Sequence, residues 1–190
     1  MVKALFLDRD GVINEDLGYV SNISNFIFKD AIFDVLNFFS KSGFLLIIVT
    51  NQSGIGRGFY SQDDFLKLNN IMLETFHKRN ININKVYFCP HIPEDNCKCR
   101  KPNIGMILQA KNDFKINLEN SIMIGDKISD IRTAINSNIG IKVLLNNDNQ
   151  KFENIEKFDY FDKFKLDGYE IFIINNLKNL IKVFENKEKI

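Results

Sequence analysis

Six consecutive apolar residues, Phe44-Leu-Leu-Ile-Ile-Val49, constrain the fold of this chain more than any other stretch. A run so short and so rich in β-forming side chains reads as a strand buried on both faces, the habit of parallel sheets covered by helices. Shorter runs at 4–7, 86–89 and 121–124 repeat the theme, and 141–145 and 169–174 look like further strands. Between them the period changes. Ile32, Val35, Leu36 and Phe39 fall on one face of a predicted helix over 31–41, and Gly43 stops it. Ser61 is placed to cap the next helix, with Asp64 at the third position after it and a core stripe of Phe65, Leu68, Met72 and Phe76. Further helices are expected over 104–114, 131–137 and 177–185. The alternation predicts an α/β fold, a parallel sheet with helices on both faces. Residues 146–167 show no readable period.

A chain of 190 residues suits one domain with a sizeable core. Its net charge of +1 gives no bulk field toward nucleic acid or a membrane surface, so neither is expected as a partner. No apolar run approaches the roughly 20 residues that span a bilayer, and the start has no signal-peptide pattern. All three cysteines, Cys89, Cys97 and Cys99, lie within eleven residues. An odd, clustered set argues for reduced thiols and a cytoplasmic protein, not a disulfide framework.

The strand ends carry the chemistry. The run 4–7 stops at Asp8, and Asp10 and Gly11 follow. Two carboxylates at the carboxyl edge of a sheet sit where open α/β sheets bind ligands. One can attack phosphorus while the other moves protons. After the second strand comes Thr50-Asn-Gln-Ser-Gly-Ile-Gly-Arg-Gly58, whose small polar side chains and backbone N–H groups suit phosphate oxygens. It is not a Walker A loop, because no Gly-Lys-Ser/Thr follows. After the fourth strand, Asp126 is a third acid, with Asp130 about one helical turn on; with Asp8 it could complete an oxygen-rich divalent-cation site. In Cys89-Pro-His-Ile-Pro-Glu-Asp-Asn-Cys-Lys-Cys99, three thiols and an imidazole meet the ligand count of a closed tetrahedral zinc site. Four protein ligands leave no open position, so such a Zn²⁺ would be structural. Arg100 and Lys101 follow at once and could clamp a phosphate.

Asp8, Asp10, Thr50, Lys101 and Asp126, each at or beyond a strand end and in this order, resemble the haloacid dehalogenase (HAD) superfamily of phosphatases over residues 2 to about 145. The resemblance implies a Rossmann-like fold; neither the stretch between Asp10 and Phe44 nor that from Gly58 to Val86 has room for a separate cap domain once its helix is subtracted. Asp8 would be the nucleophile that forms an aspartyl-phosphate, Asp10 the general acid and base, and Thr50 and Lys101 the holders of the phosphoryl oxygens. Mg²⁺ would be held by Asp8, the main-chain carbonyl of Asp10, and Asp126. Within the superfamily, Asn14-Glu-Asp-Leu-Gly-Tyr-Val20, the Thr50–Gly58 stretch, Cys97-Lys-Cys-Arg-Lys-Pro102 and Gly125-Asp-Lys127 are similar to the heptose 1,7-bisphosphate 7-phosphatases, which serve nucleotide-activated heptose biosynthesis for surface polysaccharide. By that likeness Asp16, Gly18, Tyr19, Asn51, Gln52, Ser53, Arg100 and Lys127 would contact a small sugar phosphate. The five residues between His91 and Cys97 look instead like the loop of histidinol-phosphate phosphatases. The expectation is therefore a Mg²⁺-dependent sugar bisphosphate phosphatase acting as a monomer. A histidinol-phosphate phosphatase and a non-catalytic zinc-stabilised binding module stand as alternatives.

Overall fold

The apolar runs of the sequence become strands of one sheet. The computed structural model describes residues 1–147, 153 and 155–187. In chain order the elements are β1 (Lys3–Leu7), α1 (Ile32–Lys41), β2 (Phe44–Asn51), α2 (Ser53–Gly56), α3 (Gln62–His77), β3 (Lys85–Cys89), α4 (Gly105–Phe114), β4 (Ile122–Gly125), α5 (Ile128–Asn136), β5 (Ile141–Leu145), β6 (Glu156–Lys157), β7 (Asp162–Leu166), β8 (Tyr169–Ile174) and α6 (Asn179–Lys187). The strand order is β3-β2-β1-β4-β5-β8-β7-β6. From β3 to β8 every neighbouring pair is parallel.

Side chains alternate across the central strands, as strand geometry requires. Leu5 and Leu7 of β1, Leu46 and Ile48 of β2 and Ile122 and Ile124 of β4 face one way, against Leu36 and Phe39 of α1, Met72 and Phe76 of α3 and Val183 of α6. Ala4, Phe6, Ile47, Val49 and Met123 face the other way, against Met106, Ile107 and Ala110 of α4 and Ala134 of α5. Burial on both faces explains why these strands read as continuous apolar runs. No helix among the described residues is long and apolar enough to cross a membrane.

Two features depart from the sequence reading. α5 begins at Ile128, not at 131, because the Asp130 carboxylate accepts the main-chain N–H of Lys127 at 3.0 Å and satisfies the first turn. The segment 146–167 contributes two strands, and β7 runs antiparallel to both β8 and β6. The β7–β8 hairpin closes through Asp167 and Gly168, both at positive φ (51° and 84°), the pairing a two-residue turn demands. The sheet is therefore parallel with an antiparallel edge.

β1 enters at the switch point of the strand order, with β2 on one side and β4 on the other. The carboxyl ends of β1, β2 and β4 lie level, Leu7 pairing with both Ile48 and Ile124. That places Asp8, Thr50 and Asp126 along one edge.

Candidate active site

Asp8 leaves β1 with its main-chain N–H donating to the carbonyl of Ile124 at 3.1 Å, so the sheet itself fixes its backbone. Its Oδ1 accepts the Arg9 N–H at 2.8 Å and pairs with Lys101 Nζ at 2.9 Å. Among the described residues Oδ2 has no hydrogen-bond partner, and it is the oxygen left for an incoming group. Lys101 is held three ways: by Asp8, by Asp130 Oδ1 at 2.7 Å and by the carbonyl of Val49 at 2.9 Å. Burial alone would depress this ammonium, but Asp130 and Asp8 outweigh it and hold Lys101 above the usual lysine range. Burial pushes the Asp8 carboxyl up to about 6, with Lys101 pulling down and Asp130 pushing up.

Asp10 is surrounded by donors. Arg9, wholly buried, grips its carboxylate through Nε and Nη2 at 2.9–3.3 Å, Asn14 Nδ2 donates to Oδ1 at 3.0 Å, and Gln52 Nε2 donates to Oδ2 at 3.0 Å. Arg9 Nη2 also donates to the carbonyl of Val20, tying the 14–20 loop down beside the two acids. The second proton-bearing contact of Gln52 Nε2 is Thr50 Oγ1, at 2.8 Å.

Asp8, Asp126 and Asp130 bring carboxylate oxygens within 4.8 Å of one another. Both oxygens of Asp130 are in use, one on Lys101 and one on the N–H of Lys127. Asp126 differs: among the described residues its buried Oδ1 has neither a hydrogen-bond nor an ion-pair partner. Burial and the nearby Asp8 push its carboxyl up to about 7, against the pull of Lys127. An unpaired oxygen beside a second carboxylate fits a hard divalent cation, which Asp8 and Asp126 could hold together. Gly11 makes room for this acid, since a Cβ there would lie 2.2 Å from Asp126 Oδ2.

The cleft above these groups has a volume of about 350 Å³ and includes Asp16, Gly18, Tyr19, Thr50, Asn51, Gln52, Ser53, Arg100, Lys101 and Lys127 in its walls. Each residue assigned to substrate contact thus reaches one cavity. Asp130, marked by its spacing from Asp126, joins them, as do two wall residues that the sequence did not single out, Tyr60 and Ser129. Arg57, at the end of α2, does not. Several of the assigned side chains are already engaged. The Asn51 amide clamps the main chain of Lys101 in both directions, at 3.0 and 3.1 Å. Lys127 pairs with Asp16 at 2.9 Å, and Glu15 pairs with Lys29 at 3.0 Å. Arg100 donates to the carbonyl of His91 at 3.1 Å and has no carboxylate partner among the described residues.

Cys89, at the end of β3, His91, Cys97 and Cys99 converge beside this cleft. The sulfur–sulfur distances are 2.9–3.4 Å, far beyond a disulfide bond. His91 Nδ1 lies 3.5 Å from Cys89 Sγ and 3.3 Å from Cys99 Sγ. Three thiols and an imidazole nitrogen within 4.8 Å of one another fit the donor set of a closed zinc site. Without an ion the three thiols diverge: burial pushes Cys89 and Cys99 up, whereas hydrogen bonds from Cys99, the Arg100 N–H and Cys89 outweigh burial at Cys97 and bring it down to about 7. Gly105 N–H donating to the carbonyl of Lys98 at 3.0 Å and Asn103 to that of Cys97 at 2.7 Å fasten the loop to the start of α4.

The HAD-hydrolase-like family matches residues 98–159. D-glycero-alpha-D-manno-heptose-1,7-bisphosphate 7-phosphatase of Campylobacter jejuni is 45% identical over 98% of each chain. D-glycero-beta-D-manno-heptose-1,7-bisphosphate 7-phosphatase of Helicobacter pylori is 47% identical over 75% of this chain and 83% of its own. A crystal structure of D,D-heptose 1,7-bisphosphate phosphatase from B. bronchiseptica, complexed with magnesium and phosphate, superposes with a TM-score of 0.78 over 98% of this chain and 99% of that one, at 20% identity.

Proposed function

The chain belongs to the heptose-1,7-bisphosphate 7-phosphatase family of HAD-like hydrolases, and from that premise we propose that it hydrolyses the 7-phosphate of D-glycero-D-manno-heptose 1,7-bisphosphate with Mg²⁺ as cofactor and Zn²⁺ as structural ion. The observation that carries the reading is the pairing of Asp8 Oδ1 with Lys101, which leaves Oδ2 free at a strand end beside the donor-ringed Asp10.

Asp8 Oδ2 attacks phosphorus, the P–O bond to the sugar breaks, and the departing alkoxide takes a proton from Asp10. Asp10 then removes a proton from water, whose oxygen attacks the acyl-phosphate; inorganic phosphate leaves and the Asp8 carboxylate returns. Thr50 and Lys101 hold the phosphoryl oxygens. Asp8, Asp126 and the main-chain carbonyl of Asp10 would hold Mg²⁺, and its charge lets an anionic carboxylate approach an anionic phosphoryl group. Cys89, His91, Cys97 and Cys99 would hold Zn²⁺, which pins the loop that delivers Arg100 and Lys101 to the cleft.

Substrate choice follows from which charges are spoken for. Histidinol phosphate presents an ammonium where the bisphosphate presents a second dianion. In the 14–20 loop Glu15 and Asp16 are paired with Lys29 and Lys127, while Arg100, in the cleft wall, has no carboxylate partner among the described residues. This favours the bisphosphate. The test is kcat/KM for both substrates, in wild type and in Arg100→Ala. Wild type should prefer the bisphosphate by at least about tenfold, and Arg100→Ala should shrink that preference about 10- to 100-fold, the worth of a charged hydrogen-bonded pair made in the transition state. A preference for histidinol phosphate would move the chain to that activity. Inertness toward both would leave a binding module.

A further inference from the structure

We propose that Tyr60 is a positioning residue for this reaction, acting through Gln52 on Asp10 and Thr50. The inference rests on the phosphatase reading above and assigns a role to a side chain that the sequence motifs do not touch.

The hydrogen bonds have a forced direction. The Asp10 carboxylate can only accept, so the Gln52 atom facing it is Nε2 and the atom facing Tyr60 is Oε1, to which the phenol donates at 2.6 Å. Nε2 then spends its two protons on Asp10 Oδ2 at 3.0 Å and Thr50 Oγ1 at 2.8 Å. Thr50 Oγ1 is thereby an acceptor on this side, and its own proton is left to point into the cleft, where a phosphoryl oxygen would sit. One phenol thus sets the orientation of two groups assigned to chemistry. Gln52 is buried, and its main-chain N–H donates to the carbonyl of Cys89 at 2.7 Å, so the residue is anchored and only its amide remains to be oriented.

Tyr60 itself is seated by an absence. A Cβ on Gly54 would lie 2.1 Å from Tyr60 Cε1 and 2.6 Å from Cζ, so the ring rests on the bare backbone of α2. Burial pushes the phenol up to about 12, partly offset by Arg9, so it stays a donor throughout the neutral range. The ring also lines the cleft, so a second role as a direct substrate contact must be separable by experiment.

Tyr60→Phe removes the donor and keeps the ring. We expect kcat on heptose 1,7-bisphosphate to fall about tenfold, the scale of one hydrogen bond, with KM and Tm within about twofold and 2 °C of wild type. In a Gln52→Ala background the same substitution should have no further effect, because the path to Asp10 and Thr50 is already cut. Gly54→Ala, which keeps the hydroxyl but must push the ring aside, should lower kcat at least as much as Tyr60→Phe. A wild-type kcat in Tyr60→Phe, a change confined to KM, or independent losses in Tyr60→Phe and Gln52→Ala that multiply in the double variant would each overturn the proposal. If wild type itself does not turn over the bisphosphate, the phosphatase reading has failed; the loss of the Tyr60 effect in an active enzyme sinks only the positioning role.

Discussion

Asp8 and Asp10 are separated by one residue yet meet opposite surroundings. Asp8 faces one lysine and other acids, whereas Asp10 faces an arginine and two amides. This difference suits the two roles proposed for them, nucleophile and acid–base group, which the family resemblance implied; their contrasting surroundings were not legible in the sequence. Replacing Asp8 with Asn keeps size and shape but leaves no carboxylate to form an acyl-phosphate. Steady-state assays on Asp8→Asn should show turnover reduced by more than about a thousandfold with the folded spectrum unchanged; activity within about tenfold of wild type would exclude Asp8 as the attacking group. Two residues of the site, Arg9 and Tyr60, escaped the sequence reading, and a third, Asp130, was read without its partner. Asp130 stands one helical turn after Asp126, and its spacing marked it, but nothing local says that Lys101, distant in the chain, would take one of its oxygens. Arg9 lies between the two acids, where it reads as an ordinary charge until its complete burial is seen. Tyr60 reaches Gln52 only because α2 folds the chain back, and no local pattern encodes that contact.

Elements whose reason is local were legible. The Ser61–Asp64 box starts α3 with both reciprocal hydrogen bonds, at 3.0 and 3.1 Å, and the stripe from Phe65 to Phe76 is buried as spacing required. The β7–β8 hairpin was not legible as strands, although Asp167-Gly168 is a turn signal, because β7 alternates charge with only Phe164 fully inward. The 89–99 loop has cysteines spaced for a metal and almost no apolar core of its own, so its order should depend on the ion. Protein purified without added metal should contain about one zinc per chain. Removing it with a chelator should raise hydrogen exchange across 89–102 and lower activity through Arg100 and Lys101, and Zn²⁺ but not Mg²⁺ should restore both. A zinc-free preparation of full activity would show that the four side chains need no ion.

At the scale of the molecule, the switch point of the sheet collects Asp8, Asp126 and Asp130, of which Lys101 pairs with Asp8 and Asp130 only. The folded carboxyls of Asp8 and Asp126 lie near 6 and 7, above their usual 3.8. The stability tied to them is present in full below about pH 4 and is lost as pH rises through about 6–7. Lys101 and Lys127 oppose that loss, while Asp10, Asp16 and Asp130 add to it. Magnesium should therefore raise Tm more at about pH 7.5 than at about pH 5. Asp126→Asn should raise Tm in the absence of the ion and remove the Mg²⁺ response; a Tm indifferent to Mg²⁺ in wild type would discard the cation site. The antiparallel edge has its own consequence. β8 carries Ile171, Phe172, Ile173 and Ile174, all buried. Left as the last strand it would offer an unpaired, greasy backbone ladder for another chain to extend. The hairpin covers it and ends the sheet with Glu156 and Lys157, two exposed charged residues. A strand of that length gives an incoming segment almost nothing to copy, so this end of the sheet guards the protein against growth into aggregates.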